Sequence, residues 1–100
     1  MRARFLKPAQ AEVDEAVSYF DEQRVGLGDR FERDLVATVT FLAEHPRSGK
    51  SIGENVRKFG LRRFRYNLIY AIEGDQIVIV AVAHHRRRPA YWSDRLTSLG

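Results

Sequence analysis

Apolar residues in the first quarter of the chain recur with the period of a helix. Ala9, Val13, Ala16 and Phe20 follow one another at intervals of three or four residues, and acidic residues occupy the faces between them. This arrangement is typical of an amphipathic helix that buries one stripe. The segment Gly26-Leu27-Gly28 then predicts a tight turn, because glycine adopts backbone conformations that other residues avoid.

A second amphipathic helix is predicted directly after this turn. Asp29 is a suitable N-cap, and Glu32 stands three residues later, as in a capping box. Pro46 marks the end of the helix, because proline cannot continue it. The apolar stripe consists of Phe31, Leu35, Val39 and Leu42. We therefore expect an antiparallel pair of helices whose stripes need a common surface, for which a sheet is the natural candidate.

The second half of the chain has the alternation of β-strands. Residues 63–73 place apolar side chains at every second position, which is typical of a strand with one buried face. Gly74-Asp75 predicts a hairpin turn after it. Residues 77–83 form an unbroken apolar run rich in β-branched residues, as expected of a buried central strand.

Shorter elements complete the predicted fold. Residues 2–6 and 55–61 indicate two short strands, residues 46–55 a loop, and residues 89–96 a short terminal helix. The order of elements predicts a single α+β domain over residues 1–100. It consists of an N-terminal strand, an αα-hairpin packed on one face of a small antiparallel sheet, and a short C-terminal helix.

The predicted hairpin turn also determines which residues face each other across the two long strands. Paired residue numbers sum to 149, so Arg65 faces His84 and Arg63 faces Arg86. Like charges opposed in this way destabilise a sheet by about 0.2–1 kcal/mol, so packing does not explain them. The register gathers a basic cluster at one end of the sheet, made of Arg62, Arg63, Arg65, His84, Arg86 and Arg87.

The sheet face away from the helices is predicted to carry an exposed apolar stripe of Val78, Val80 and Val82. Such a stripe beside a basic cluster is a candidate docking groove for a partner segment that is apolar and acidic. Two alternatives remain open. In the first, the C-terminus of the same chain folds back over the stripe. In the second, another copy of the chain covers it.

Positive charge is concentrated in the second half of the chain. The net charge is +4, but residues 1–50 carry eight Lys and Arg against nine Asp and Glu, while residues 51–100 carry nine against four. The run His-His-Arg-Arg-Arg-Pro-Ala-Tyr-Trp at residues 84–92 follows the apolar strand directly. Clustered arginines beside aromatic residues favour recognition of a phosphate backbone or an acidic protein surface over a solvated loop.

The composition excludes several classes of function. The chain has no cysteine, hence no disulfide and no thiolate metal site, and no segment approaches the ~18–20 apolar residues of a membrane span. His84 and His85 are adjacent on a strand, so they point to opposite faces and cannot chelate one metal. Gly49-Lys50-Ser51 lacks the first glycine of a phosphate-binding loop, since Glu44 stands there. We expect a cytoplasmic protein with no metal, cofactor or membrane partner.

Several groups of residues spread over nearly the whole chain form a recognisable combination. They are the N-terminal pattern of Phe5, Ala9, Glu12, Asp14 and Ala16, the helix end at residues 42–46, the strands at residues 56–70 and 77–84, and the ending Arg86-Arg87-Arg88-Pro89-Ala90-Tyr91-Trp92. This combination resembles the RelE/ParE superfamily, the toxins of bacterial type II toxin–antitoxin systems. Within it, the chain is most similar to the ParE-like branch, often called plasmid stabilisation proteins.

The resemblance implies a small toxin held inactive by a cognate antitoxin that an adjacent gene encodes. The two would form a hetero-oligomer that reaches operator DNA only through the antitoxin. ParE-type members act on DNA gyrase and do not cleave RNA, whereas RelE-type members cut messenger RNA on the ribosome with clustered Lys and Arg and a terminal Tyr. Here only Lys58 lies on the second strand, with Lys7 and Lys50 elsewhere. We therefore expect a gyrase inhibitor without chemistry of its own, with a ribosome-dependent mRNA endoribonuclease as the alternative.

Three sets of candidate residues follow from these interpretations. The set expected to bind the cellular target comprises Arg62, Arg63, Arg65, His84, Arg86, Arg87, Arg88, Tyr91 and Trp92. The set expected to bind the antitoxin comprises Asn67, Ile69, Val78, Val80 and Val82. If the protein is a nuclease, the residues around the scissile phosphate would be Arg65, His84, Arg86 and Tyr91, with His84 and Tyr91 as the proton-transfer groups.

Overall fold

Two helices pack on one face of a five-stranded sheet in the computed structural model, which describes residues 1–99. The elements are β1 (Arg2–Phe5), α1 (Lys7–Gln23), α2 (Leu27–Glu44), β2 (Lys50–Gly53), β3 (Val56–Gly60), β4 (Tyr66–Glu73), β5 (Gln76–His84) and a C-terminal 3₁₀ helix (Ser93–Leu99). The strand order is β1-β5-β4-β3-β2, with β1 parallel to β5 and the other neighbours antiparallel. The predicted α+β class is confirmed.

The predicted helix stripes form the main core together with the inner face of the sheet. Burial of these side chains removes apolar surface from water, which is the main force that holds the hairpin on the sheet. The buried residues of this core include Ala9, Val13 and Ala16 of α1, Phe31, Leu35 and Leu42 of α2, and Leu68, Tyr70, Ile77 and Ile79 of the sheet.

No helix within residues 1–99 has the length and apolar character needed to cross a membrane.

The turn between the helices differs from the predicted one. Asp29 was expected to cap the second helix, but α2 begins at Leu27, and Asp29 lies in its first turn. The cap position is Gly26, in the left-handed region at φ 88°, which a side chain would disfavour. Asp21 at the end of α1 accepts a hydrogen bond of 2.9 Å from the backbone N–H of Gly28. An acidic residue of the first helix therefore supplies the capping oxygen of the second.

Two strand boundaries also differ from the prediction. The segment predicted as a loop at residues 46–55 contains β2, a short exposed edge strand whose pairing with β3 is irregular between Ser51 and Gly53. β4 begins at Tyr66 rather than at Arg63, because residues 62–65 form a bend. In that bend the N–H of Leu61 donates to the carbonyl of Tyr66 over 2.9 Å, which closes the connection from β3.

A β-bulge at Val80 changes the register of the central hairpin. Near the turn the pairs are as predicted, with Tyr70 facing Ile79, but Ile69 faces Ala81 and leaves Val80 without a partner. An extra residue in one strand exchanges the faces of all residues beyond it. The predicted pairs Arg65–His84 and Arg63–Arg86 are therefore wrong. His84 faces Tyr66, and both arginines precede the strand.

The outer face of the sheet is covered by the C-terminal segment. Val78 and Val80 are fully buried there, and Val82 turns to the main core because of the bulge. The prediction of an exposed valine stripe is wrong, and the alternative of a folded-back C-terminus describes the structure. This second core joins Leu6, Val56, Ile69, Val78, Val80 and Ala81 of the body with Tyr91, Trp92, Leu96 and Leu99 of the C-terminal segment.

Tyr70 anchors the connection from α2 to β2. Its hydroxyl accepts a hydrogen bond of 2.9 Å from the N–H of Gly49 and donates one of 2.6 Å to the carbonyl of Pro46. Arg57 adds a hydrogen bond of 2.7 Å to the carbonyl of Gly49. A Cβ atom at position 49 would lie 2.5 Å from the Tyr70 hydroxyl oxygen, so only glycine fits. Gly49 therefore has a packing role, which accounts for it without a phosphate ligand.

Replacement of Gly49 by alanine is expected to lower the free energy of unfolding by about 1–3 kcal/mol, because the added methyl group must displace a buried side chain. Thermal unfolding followed by circular dichroism measures the change. Gly53→Ala is the matched control, since nothing lies within 4 Å of its added Cβ. Equal melting temperatures for the two variants would show that the close contact between Gly49 and the Tyr70 hydroxyl does not contribute to stability.

Candidate functional site

The carboxylate of Glu12 joins α1, β5 and the C-terminal segment. Its Oε1 accepts hydrogen bonds from the N–H of Val82 over 3.0 Å and from Arg95 Nη1 over 2.8 Å. Its Oε2 accepts from the Tyr91 hydroxyl and from Arg95 Nη2 over 3.0 Å. We call Glu12, Tyr91 and Arg95 the Glu12 clamp. A bidentate Arg–carboxylate pair of this kind combines charge with fixed geometry.

The Glu12 clamp forms where β5 loses its neighbour. β1 ends at Phe5, and the N–H of Leu6 makes a last bond to the carbonyl of Ile79 over 3.0 Å. Beyond this point the edge of β5 has no strand beside it. Glu12 accepts from Val82 N–H there, and Arg95 Nη1 donates to the carbonyl of Val80 over 3.1 Å. Two side chains thus satisfy backbone groups that would otherwise be buried without partners.

Burial and charge make the clamp a strong local contact. The exposed fractions of the Arg95 and Glu12 side chains are 19% and 12%. Hydrogen bonding to Glu12 raises the pKa of Arg95 above its ordinary value. Burial raises the pKa of the Tyr91 hydroxyl, and its hydrogen bond to the Glu12 carboxylate raises it further. Tyr91 is therefore held as the neutral phenol.

A groove lies between the outer face of the sheet and the start of the C-terminal segment. We call it the basic groove. Its volume is about 350 Å³. The guanidinium of Arg87 stacks over the ring of Tyr91, 3.7 Å from the ring centroid. The side chains of the basic groove that bear on recognition are Ile52, Lys58, Asn67, Ile69, His84, His85, Arg87, Arg88, Tyr91 and Trp92.

Lysine is less scarce at the basic groove than the sequence suggested. Lys50, expected to lie elsewhere, is on β2 directly opposite Lys58 of β3. Residues paired in this way project from the same face of a sheet, and Lys58 and Ile52 line the groove. The sequence missed this pair because β2 is only four residues long and was predicted as a loop.

The residues predicted to bind the target divide between two sides of the sheet. His84, Arg87, Arg88, Tyr91 and Trp92 line the basic groove. Arg63 and Arg65 line a separate cleft beside α1, which His84 also borders. Arg62 and Arg86 are exposed and line neither. From the set predicted to bind the antitoxin, Asn67 and Ile69 line the basic groove, whereas Val78, Val80 and Val82 are buried.

Neither candidate proton-transfer group is free to act as a base. Tyr91 is tied to Glu12 and keeps its proton. His84 accepts a hydrogen bond of 3.1 Å at Nδ1 from the N–H of Arg86. The Nδ1 atom of His84 is thus engaged within the protein, and its ring contacts Tyr66 on the helix side of the sheet, 5.2 Å between ring centroids. Within residues 1–99 no three His, Cys, Asp or Glu side chains come together as a metal site would need.

Sequence reasoning missed the roles of Glu12 and Arg95. Glu12 was grouped with the solvated acidic residues of the first helix, and Arg95 was given no function. The available signal is that Glu12 precedes the buried Val13 and lies one turn before the buried Ala16, so it borders the buried stripe. Its partner Arg95 stands 83 positions away, which no local pattern reveals.

Comparison with known protein families matches residues 3–89 to the model described as ParE toxin of type II toxin–antitoxin system, parDE. A chain of the chromosomal ParDE system from P. aeruginosa has the same fold, with a TM-score of 0.73 and 19% identity over 84% of this chain and 95% of that chain. The isolated E. coli RelE toxin gives a TM-score of 0.65 and 20% identity over 99% of this chain and 98% of that chain. No curated protein sequence matches.

The match to the ParE model extends over 87 of the 100 residues and includes α1, with Glu12, and the whole sheet except Arg2, the first residue of β1. It ends at residue 89, before Tyr91 and Arg95 of the Glu12 clamp. The two structural likenesses, at about one residue in five identical, show the shared fold. The chain belongs to the ParE toxin family of type II toxin–antitoxin systems.

Proposed function

We propose that this protein arrests growth in the cytoplasm by binding DNA gyrase through the basic groove, and that an antitoxin encoded by an adjacent gene neutralises it. The observation that carries the choice of target is that Tyr91 keeps its proton and that the Nδ1 atom of His84 is engaged in a hydrogen bond within the protein. A binding protein needs only their shape and hydrogen bonds, whereas a ribonuclease needs a group that accepts the proton of the attacking 2′-hydroxyl. Family membership supports the toxin and its antitoxin.

The shape and charge of the basic groove support recognition of a protein surface. Trp92 and Tyr91 provide aromatic surface, and the exposed Arg87 and Arg88 provide charge beside it. Tryptophan, tyrosine and arginine are the residue types that contribute most to protein interfaces. The Glu12 clamp holds Tyr91 in position, so this surface is ordered before the target arrives, which lowers the entropy lost on binding.

One observation favours the alternative, a ribosome-dependent endoribonuclease. Lys58 lines the basic groove with Arg87 and Arg88, and Lys50 stands directly opposite Lys58, and such a group of cations would attract an RNA phosphate. Arginine cannot serve as a base because its pKa is too high. Of the two groups considered for proton transfer, Tyr91 keeps its proton and His84 Nδ1 is engaged within the protein, which favours binding over cleavage, so the gyrase inhibitor remains the better-supported proposal.

Loss of charge from the basic groove is expected to abolish growth arrest. In the double variant Arg87→Ala, Arg88→Ala, we expect binding of the target to weaken by about tenfold or more, since charged interface residues contribute on the order of 1–2 kcal/mol each. Colony formation after induction of the toxin alone measures toxicity. Arg86→Ala is the matched control, because Arg86 belongs to the same run but lies outside the groove.

The proposal requires that Arg86→Ala remain toxic and that the double variant accumulate as folded protein. Undiminished growth arrest by the folded double variant would remove the basic groove as the target surface. Changing Glu15 and Glu22, which are exposed on α1, is expected to leave toxicity intact.

Induction is expected to stop DNA replication while messenger RNA remains intact. Tyr91→Phe removes only the hydroxyl, and Arg95 still binds Glu12, so the variant is expected to remain toxic. Sequencing of RNA 5′ ends shortly after induction, alongside labelling of new DNA, distinguishes the two functions. Codon-phased RNA cuts that disappear in Tyr91→Phe or His84→Ala would establish the nuclease instead.

A further inference from the structure

A second cavity, the aromatic cleft, lies between α1 and the bend before β4, on the side of the sheet that faces the helices. Its volume is about 420 Å³, in the range of ligand pockets. It continues into a smaller cavity of about 190 Å³ beside Glu12 and Glu15. The walls are aromatic, and two arginines stand at the rim. The lining consists of Tyr19, Phe20, Phe64, Tyr66 and His84, with Arg63 and Arg65.

The walls of the aromatic cleft are held in place by ring contacts. Phe20 lies 4.9 Å from Phe64 and 5.9 Å from Tyr66 between ring centroids, and Tyr66 lies 5.2 Å from His84. Tyr19 is the exception, because 55% of its surface remains exposed although its ring contacts Phe20. Burial raises the pKa of Tyr66, and the neighbouring Tyr19 raises it further, so Tyr66 is held as the neutral phenol. The cleft is a rigid apolar recess with one open side.

The rim of the aromatic cleft is positively charged and unpaired. The backbones of Arg63 and Arg65 are fixed, since Arg63 N–H donates to the Asp34 carboxylate over 2.8 Å and the Arg65 carbonyl accepts from His85 N–H over 2.9 Å. Both side chains are exposed, and neither guanidinium has a hydrogen bond or an ion pair to any residue in the range 1–99. Two exposed cations on a fixed stretch of backbone therefore stand beside the apolar recess, where they can bind an anionic partner.

The charges around the aromatic cleft select among occupants. An aromatic recess attracts cations, but Arg63 and Arg65 repel them. A nucleic-acid base could stack on Tyr19. The phosphate of each nucleotide would, however, be repelled by Glu15 of α1, which lines the smaller adjoining cavity. A protein segment can place one apolar side chain in the recess and direct its carboxylates only towards the arginines. The combination fits such a segment best.

We propose that the aromatic cleft receives an apolar anchor side chain, aromatic or leucine-like, from an acidic segment of the antitoxin, with the segment's carboxylates directed at Arg63 and Arg65. This inference rests on the proposed function for the existence of the antitoxin. It places the antitoxin on the helix side of the sheet, whereas the basic groove is left for the target. The buried Val78 and Val80 then take no part in the contact.

Affinity of the purified chain for the product of the adjacent gene tests the proposal. Tyr19→Ala removes the open wall and is expected to weaken binding about 30-fold, as for an anchor pocket at an interface. Arg63→Glu is expected to weaken it about tenfold. The matched controls are Val25→Ala, whose side chain is 95% exposed at the hairpin tip, and Arg2→Glu, at the opposite end of β5. Both controls are expected to change affinity about twofold at most.

A photo-crosslinking residue at position 19 is expected to capture an antitoxin peptide that contains an apolar residue flanked by Asp or Glu. The same residue at position 25 is expected to capture none. Unchanged affinity of Tyr19→Ala and Arg63→Glu, the absence of any complex, or capture of a segment without carboxylates would overturn the proposal. So would tighter binding of a single-stranded RNA oligonucleotide that Tyr19→Ala abolishes.

Growth assays separate this inference from the proposed function. Tyr19→Ala is expected to arrest growth as strongly as the parent when expressed alone, and to be rescued less well by the antitoxin. A parent chain that binds the antitoxin with the predicted dependence on Tyr19, yet does not arrest growth, would contradict the proposed function and support the aromatic cleft. A Tyr19→Ala variant that arrests growth, and that the antitoxin rescues as fully as the parent, would contradict the role of the aromatic cleft and leave the proposed function standing.

Discussion

The carboxylate of Glu12 is the contact on which the functional surface depends. It accepts four hydrogen bonds from three residues: the N–H of Val82, the Tyr91 hydroxyl and two nitrogens of Arg95. Removing one partner of a half-buried charged network leaves the others unsatisfied, which costs more than a single hydrogen bond contributes. Without this carboxylate, the C-terminal segment would keep its apolar contacts with the outer face of the sheet and the hydrogen bond from Arg95 to the carbonyl of Val80.

The same contact links the fold to the proposed activity. By holding Tyr91, it positions the aromatic wall of the basic groove and the guanidinium of Arg87 that stacks on it. It also keeps the Tyr91 hydroxyl protonated, which suits a binding surface and opposes general-base chemistry. This chain thus combines the fold it shares with ParE and RelE structures with a cationic groove in which Tyr91 stays the neutral phenol. Its two recesses, on opposite sides of the sheet, leave room for a target and an antitoxin on separate surfaces.

Much of the fold could be predicted because local patterns determine it. The helices, the central hairpin and its first pairs, such as Tyr70 with Ile79, follow from periodicity and turn chemistry. The bulge at Val80 could not be predicted, because residues 77–83 are apolar on both faces and an inserted residue leaves no trace in their pattern. Because of that one extra residue, the cross-strand partner of His84 is Tyr66 instead of Arg65, and the side chain of Val82 lies in the main core.

The candidate site was predictable in composition but not in arrangement. His84, Arg87 and Tyr91 were found from the basic run and do line one groove. Which arginines share a cavity depends on the bulge and on the fold of the C-terminal segment, and both are long-range features. Glu12 was missed for the same reason, since a charged residue on an amphipathic helix is solvated unless a distant partner meets it.

Amide hydrogen exchange, measured by NMR on the parent and on Glu12→Gln, tests the role of Glu12 most directly. Glutamine has the same shape as the glutamate side chain, but one acceptor oxygen is replaced by an NH₂ group. This group is itself a donor and cannot accept hydrogen bonds from Arg95 or Tyr91. The account predicts that exchange of the Val82 and Arg95 amides accelerates by about tenfold or more, while Leu68 in β4 is unaffected. Unchanged protection of Val82 and Arg95 in a folded Glu12→Gln variant would contradict it.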